Sequence, residues 1–487
     1  MIAFWLAKSD VVGDILIPKY YDPVLKRDLE TLIAGTGCVS IGDLIDRGEL
    51  EVSTGDEIGS ESYGTGTIPF VRTSDISNWE IKSNPKQGVS DQVYGVYATS
   101  QDVQAGDILL VRDGTYLIGT NCFVTRFDSK MLFQSHILKF RLTPKSTLSS
   151  EEAFLAFNNP IVQRQLRARQ FTADIIDTLG TRWRDVILPM PVGDRSIIVN
   201  RVRVSLDARV RGRCLIKQLG VILEQVLESG TLNAFEEFES LGDEALTAML
   251  NQDTVSAEYG EFGVNWISSN HLRNNVLLPK YYDHGIDDEL DKLATNCDLV
   301  SVQSLIDEGR VSLSTGDEPG KMAYGTGDIP FIRTSDFANW EIKHDPKQGV
   351  SEQIYAIYRD SQDVKPYDIL LVRDGTYLVG TSTVVLPEDA KFVYCGGLYK
   401  IRASNGFDPF LLFGLLNSYV VKRQIRSKQF TRDVIDTLGL RLNEIILPIP
   451  KLAGVAGEIA SRVRSTIESR VEARDSLLSL ANLAFDN

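Results

Sequence analysis
The stretch YGTGTIPFVRTSD, from Tyr63 to Asp75, returns as YGTGDIPFIRTSD from Tyr324 to Asp336, 261 positions later. The duplication reaches well beyond it. PKYYD at 18–22 recurs at 279–283, STGDE at 53–57 at 314–318, and NWEIK at 78–82 at 339–343. PKQGVS at 85–90 recurs at 346–351 and DILLVRDGTYL at 107–117 at 368–378, all at the same offset. DTLG at 177–180 recurs at 436–439, now 259 positions on, so two residues are lost between. Solenoid repeats have periods of about 20–50 residues, so a period this long means two tandem domains on one plan. The length agrees, because 487 residues exceed the roughly 250–300 that one core supports. A polar loop needs no such fidelity to fill space, and the repetition points to a surface used twice.

Each copy reads as a mixed α/β (α+β) domain. DILLVRDGTYLIGT carries apolar runs on either side of Asp113-Gly114, and its twin on either side of Asp374-Gly375. Asp-Gly between such runs predicts a two-residue type I′ hairpin turn. Residues 151–170 and 408–429 read as helical, with Pro160 breaking or delaying the first. After each copy comes a long helix. Ile198, Val202, Leu215, Leu219, Ile222 and Val226 recur three or four apart in the first, as do Val455, Ile459, Val463, Ile467 and Val471 in the second. Such narrow apolar stripes seek another helix. Both helices are long and follow equivalent domains, so the reading favours their pairing with each other over packing only on their own domains. The expected boundaries are a first domain over 1–192, a helix over 193–230, an acidic connector over 231–262, a second domain over 263–452 and a helix over 453–487.

The hydrophobic share of 43% and charged share of 24% are ordinary globular values. No apolar run approaches the roughly 18 residues of a membrane helix, and MIAFWLA lacks the basic segment of a signal peptide. Five scattered cysteines without a C-x-x-C pair fit a reducing cytoplasm, and neither they nor four unpaired histidines propose a metal site. The net charge of −15 argues against a nucleic-acid partner only on average. Glu224 to Glu261 holds ten acidic residues and no basic one, while Arg195 to Lys217 holds seven basic residues against one Asp. The average thus hides strongly basic local stretches.

No phosphate-binding loop is present: GDEPGKM at 316–322 has the wrong spacing, and no strand leads into a G-x-G-x-x-G helix start. The Asn/Asp-Pro-Pro-aromatic string of adenine methyltransferases is absent. Acid pairs such as Asp107 and Asp113 could serve a nuclease, but no complete catalytic set accompanies them. What remains suits DNA. The repeats offer Arg72, Thr73, Ser74 and Arg333, Thr334, Ser335; Lys86, Gln87 and Lys347, Gln348; and Arg112, Thr115, Tyr116 and Arg373, Thr376, Tyr377. Basic helix ends follow, with Arg164, Arg167, Arg169, Gln170 in one copy and Lys422, Arg423, Arg426, Lys428, Gln429 in the other. Arg, Lys, Gln, Thr and Ser are the donors that hold phosphates and read base edges. The competing reading is structural: Thr-Ser-Asp caps a helix and Arg72 pairs with Asp75.

The strings G-x-G-x-I-P-F-[VI]-R-T-S-D-[IF], D-I-L-L-V-R-D-G-T-Y, I-D-T-L-G with I-L-P-[MI]-P, and the trailing helix with EIASRV resemble the specificity subunit of type I restriction–modification enzymes. The likeness covers nearly the whole chain, in the family's order of recognition domain, helix, recognition domain, helix. It implies a non-catalytic, cytoplasmic DNA-binding subunit of a phage-defence complex. Two target recognition domains would each read half of a bipartite site, separated by two long antiparallel helices forming a coiled-coil spacer. Those helices, through Ile198, Val202, Leu219, Ile222, Val226, Ile459, Val463, Ile467 and Val471, would dock DNA adenine methyltransferase subunits, two per chain, and a motor/endonuclease subunit could join. S-adenosylmethionine, ATP and Mg would then sit on the partners, with no cofactor or metal on this chain. Family members commonly pair dissimilar recognition domains, whereas these are near-copies over 53–120 and 314–381. Related by a pseudo-two-fold axis, they would take a nearly palindromic target, with any difference between half-sites mapping to 121–150 against 382–407. Alternatives are the specificity protein of a related methyltransferase-based system, an acidic scaffold or DNA mimic that binds a restriction enzyme, and a hydrolase with unrecognised carboxylates.

Overall fold
A computed structural model of the chain describes residues 4–12, 15–35, 37–83, 85–114, 116–173, 176–251, 267, 269, 272, 276–375, 377–432 and 435–485. The chain divides into two compact units, and neither is contiguous. The first comprises Met1–Arg211, Asp243–Gln252 and Arg470–Asn487, the second Gly212–Gly242 and Asp253–Ser469. The units cut across the contiguous segments read from the repeat, because each takes a portion of both long helices.

In the first unit, a four-stranded antiparallel sheet runs in the order Leu50–Thr54, Ile137–Leu142, Ile108–Val111, Asn121–Phe123. A smaller sheet sets Ile68–Val71 antiparallel to Gly88–Val89 and parallel to Leu132–Phe133. The second unit repeats both, with Val311–Thr315, Leu398–Ala403, Ile369–Val372 and Ser382–Val384 in one sheet, and Gln348–Val350, Ile329–Ile332 and Val393–Tyr394 in the other.

The tight hairpin is not at Asp113-Gly114. Leu110 pairs with Asn121 and Leu371 with Ser382, so the strands on either side of Asp113-Gly114 and Asp374-Gly375 are too far apart in sequence for a two-residue turn. The two-residue turn lies instead at Asn78-Trp79, where Ser77 faces Glu80 across it and both turn residues have positive φ, 47° and 65°. Asn339-Trp340 repeats it at 50° and 66°. Type I′ turns need φ > 0 at both centres, and Asn supplies one readily. The buried Trp79 and Trp340 side chains fix the other.

The helical segment of the first copy breaks as Pro160 predicts, into Ser150–Asn158 and Pro160–Ala168. The second breaks too, into Pro409–Leu416 and Tyr419–Lys428, with no proline at the break. The shared cause is an asparagine whose amide returns to the carbonyl four residues back: Asn158 to Phe154 at 2.8 Å and Asn417 to Phe413 at 2.9 Å. Such local bonds compete with helix continuation.

The long helices span Arg195–Ser229 and Ala453–Leu483. In the first unit their segments run antiparallel. Val192 N donates to Ala484 O at 2.8 Å, while Arg209 meets Arg470 further along. Ile198, Val202 and Leu206 share one core with Leu477, Leu480, Phe485, Phe154, Phe157 and Trp183. The helices therefore pack on each other and on the repeat at once. In the second unit Ile459 and Val463 lie against Gly414, where a Cβ would come within 3.4 and 3.3 Å of them. All nine helix residues assigned above to methyltransferase docking are buried within the chain. They hold this fold together and are not a docking surface.

The repeat offset continues into the helices as Arg209/Arg470 and Arg213/Arg474, four buried arginines. In the first unit, Arg209 Nη2 lies 3.1 Å from Glu80 Oε1, and Arg470 Nη2 binds the same oxygen. Arg209 Nη1 donates to Arg470 O at 3.0 Å and Arg470 Nη1 to Arg209 O at 2.6 Å. Glu80 belongs to the Asn78-Trp79 hairpin, so this cluster joins the repeat to both helices. Three exposed arginines of the basic run 195–217 also pair with carboxylates of the first unit. Arg195 pairs with Glu152, Arg203 with Glu151 at 2.6 Å, and Arg211 with Asp243 at 3.6 Å. No helix among the described residues is long and apolar enough to cross a membrane.

Two stability predictions follow from these buried charges. Glu80→Gln keeps the side chain's size but removes its charge from two buried guanidinium groups. It is expected to cost about 3 kcal/mol in urea unfolding, and a loss below about 1 kcal/mol would contradict the role given to the cluster. In the second unit, burial first and then the carboxylates of Glu289 and Glu228 push Glu224 up from 4.5 to about 7, against the pull of Arg423 and Lys292. The ionised form therefore penalises folding increasingly between those pH values and fully above them. Glu224→Gln is expected to stabilise the protein by about 2 kcal/mol at pH 8 and to change nothing at pH 4. Equal effects at both pH values in thermal melts would contradict it.

Candidate nucleic-acid interface
The loop after Ile108–Val111 is organised by one carboxylate. Asp113 Oδ2 accepts from Arg112 Nε and Nη2 at 2.9 and 2.7 Å and from His136 Nδ1 at 2.9 Å. Its Oδ1 accepts from Thr178 Oγ1 at 2.5 Å. Burial pushes this carboxyl up, but the hydrogen bonds from Arg112, Thr178 and His136 outweigh it and hold the group below the usual range. The second unit repeats the pattern, with Asp374 accepting from Arg373 at 2.9 and 2.6 Å and from Thr437 at 2.5 Å. Gly114 N donates to Asp177 O and Gly375 N to Asp436 O, each at 2.9 Å.

Those last bonds lead to a second element. Phe171–Ala173 pairs with Ile176–Thr178, and Phe430–Arg432 with Ile435–Thr437. Asp177 accepts from Thr172 at 2.6 Å and Gln170 at 2.5 Å, and Asp436 from Thr431 at 2.6 Å and Gln429 at 2.7 Å. The threonine bonds come first among the influences that hold both carboxyls low. Tyr20 of the PKYYD stretch packs edge-on against Phe171 at 5.9 Å, and Tyr281 against Phe430 at 5.8 Å. Arg182 and Arg441 lie over the same phenyl rings at 4.0 Å. Four duplicated stretches thus meet in each unit: PKYYD, the Arg-Asp-Gly loop, the basic helix end and I-D-T-L-G. The hairpin residues Thr172, Asp177, Thr431 and Asp436 are missing from the sequence-based set, although the duplicated QFT and IDT strings marked them.

The third element is R-T-S-D. Thr73–Asp75 is a short 3-10 turn whose Asp75 accepts from Arg72 N at 3.0 Å and Lys86 N at 3.4 Å. Burial raises the Asp75 carboxyl. Asp336 accepts equivalently from Arg333 N at 3.0 Å and Arg333 Nε at 3.4 Å. The capping reading of this motif is therefore right, and the aspartate also ties the Lys86-Gln87 stretch to the turn. In the second unit the R-T-S-D and Arg-Asp-Gly loops meet at Gly397, where a Cβ would lie 3.1 Å from Thr334 Cγ2 and 3.8 Å from Asp374 O.

The sequence-predicted residues divide by exposure. Lys86, Tyr116, Arg167, Lys347, Tyr377 and Arg426 are exposed. Arg72, Thr73, Ser74, Gln87, Arg112, Arg169 and Gln170 are half-buried, as are Arg333, Thr334, Ser335, Gln348, Arg373 and Gln429. Thr115 and Thr376 lie outside the described residues. Lys428 is not a surface cation. It is 9% exposed, with Nζ 4.6 Å from the Tyr281 ring centre and 3.8 Å from Glu444 Oε2. Arg169 donates to Gln165 O at 3.3 Å and Asp185 O at 3.1 Å, so it too braces the scaffold. Arg164 and Arg423 are paired inward, to Asp28 at 2.6 Å and to Asp283 at 2.8 Å.

The acid pair of the hydrolase reading is neutralised. Asp107 receives both Nε and Nη2 of Arg141 at 2.7 Å, as Asp113 receives Arg112. Among the described residues no group of three or more His, Cys, Asp or Glu could hold a metal ion. In the connector, Glu239 pairs with Arg462, whose guanidinium covers Phe235 at 5.2 Å, and Asp243 pairs with Arg126 at 2.9 Å.

No protein-family model and no curated protein matches the chain. Solved structures similar to it include the type I restriction–modification system S subunit from M. genitalium, at 11% identity over 92% of this chain and 96% of that one, with a TM-score of 0.35. The HsdS subunit from Thermoanaerobacter tengcongensis is similar at 15% identity over 93% and 95%, TM-score 0.27. A chain from a structure of type I R-M system assembly and conformational transition is similar at 15% identity over 93% and 98%, TM-score 0.28.

The division between scaffold and surface is measurable. Lys428→Ala is expected to destabilise the protein by about 1–2 kcal/mol through loss of its aromatic and carboxylate contacts. Arg426→Ala is expected to stay within about 0.5 kcal/mol. Urea midpoints in the reverse order would contradict the assignment.

Proposed function
We propose that the chain is the DNA-recognition subunit of a type I restriction–modification system. Each unit carries one reading surface for half of a bipartite duplex site, and methylation and cleavage belong to partner subunits. One observation carries this reading. Around two copies of the same internally bonded scaffold, the exposed donors are retained as well: Lys86 and Lys347, Tyr116 and Tyr377, Arg167 and Arg426. Folding accounts for keeping Asp113, Asp177 and their counterparts. Exposed cations and aromatics kept at matching positions of both units, in a chain of net charge −15, form the surface that a polyanion would meet. Phosphate binding and base reading need these side chains.

The partners that follow from this reading are duplex DNA and adenine methyltransferase subunits that flip their target base, with S-adenosylmethionine, ATP and Mg bound by those other chains in the cytoplasm. Docking of those subunits must use surfaces other than the buried helix stripes. An acidic mimic of DNA is the poorer fit, because Glu239 and Asp243 of the connector pair with the chain's own arginines.

The experiment is methylome sequencing of cells carrying the chain with its neighbouring gene products, joined to binding titrations over a range of salt. An interrupted, nearly palindromic methylated motif is expected, since near-copies of one reader take near-copies of one half-site. Affinity should fall steeply with salt through counterion release, with Arg167→Ala and Arg426→Ala each lowering the slope by about 1 for all sequences alike. Two unrelated half-sites would exclude the near-palindrome, and salt-independent binding would exclude phosphate contact.

A further inference from the structure
The two reading surfaces share their scaffold, and one place where they differ is a dipeptide that holds it. Ser135-His136 in the first unit stands where the second has Gly396-Gly397. The backbone of the second member does the same work in both. Arg112 N and Asp113 N donate to His136 O at 2.9 and 3.3 Å, and Arg373 N and Asp374 N to Gly397 O at 2.9 and 3.2 Å. Neither glycine has the left-handed φ that would demand glycine. The loop is held identically, and the side chain is what changes.

In the first unit that side chain is an imidazole anchored at one end. Nδ1 lies 2.9 Å from Asp113 Oδ2. An ionised carboxylate only accepts, so Nδ1 carries the proton and donates. Nε2 is left at the outer edge, 3.9 Å from Glu57 Oε1 and so beyond hydrogen-bond distance, on a ring 37% exposed. Ser135 Oγ donates to that same Glu57 carboxylate. In the second unit Gly396 N donates to Glu318 Oε1 at 3.2 Å instead. The space beside Gly397 is closed by Thr334.

We infer that Ser135-His136 sets the specificity of the first reading surface: His136, oriented by Asp113, presents Nε2 to a base edge that the second surface leaves unread. The inference rests on the DNA-recognition reading above. It gives the first half-site one base pair that is discriminated there and not in the second.

The test is methylome sequencing of the complete system with the wild-type chain, His136→Gly, the double variant Ser135→Gly/His136→Gly, and His136→Asn. Asn keeps a donor at the place of Nδ1 but has no atom at Nε2. All three variants should lose roughly 5- to 100-fold discrimination at one position of the first half-site, while preference in the second half-site stays unchanged and reports a folded complex. Unchanged discrimination in His136→Gly would overturn the inference. So would wild-type discrimination in His136→Asn, which would reduce His136 to a brace for Asp113. A wild-type chain that directs no methylation would instead overturn the recognition reading beneath it.

Discussion
Two arginines, one from each long helix, share the carboxylate of Glu80 inside the first unit, and each also reaches the other helix's backbone. Much else in that unit depends on this contact. It comes from the hairpin of the repeat, so the repeat cannot shift along the helices without exposing two guanidinium groups to an unpaired interior. Buried charge tolerates few alternative arrangements, and the contact therefore fixes register where apolar packing alone would permit sliding. It also explains why the compact units are discontinuous, since the far end of the chain supplies Arg470, Leu477 and Phe485 to the core that the first repeat begins.

The exposed surface is built on a similar economy. In each unit one aspartate organises the Arg-Asp-Gly loop, another the hairpin beside it, and a third the R-T-S-D turn. Most of the polar letters that repeat so faithfully are structural, spent on holding three loops against one another. The exposed members of the set are fewer: Lys86, Tyr116 and Arg167, with their counterparts.

How much of this was legible in the sequence follows from what kind of signal each feature leaves. The duplication, the mixed α/β class and the long helices were readable, because offsets and apolar spacing survive without knowledge of contacts. Pro160 marked a true break, yet the same break at Asn417 was invisible, since its cause is a side chain bonding to Phe413 O. The Asp113-Gly114 turn failed because Asp113 is claimed by Thr178 across the fold, while Asn78-Trp79 makes a type I′ turn with a tryptophan few would place there. Lys428 read as a surface cation because a sequence shows cations but not the rings and carboxylates that enclose them. The helix stripes were read correctly as apolar seams that pair with each other, and only the further role given to them, docking partner subunits, fails, because those residues are buried within the chain.

The central claim is that both repeats present their Arg-Asp-Gly loops to duplex DNA. Ultraviolet cross-linking of the complex to its methylated site, followed by mass spectrometry of the adducts, tests it most directly. Adducts on Tyr116 and on Tyr377 are the predicted result. Adducts confined to one repeat, or found only along 195–229 and 453–483, would contradict it.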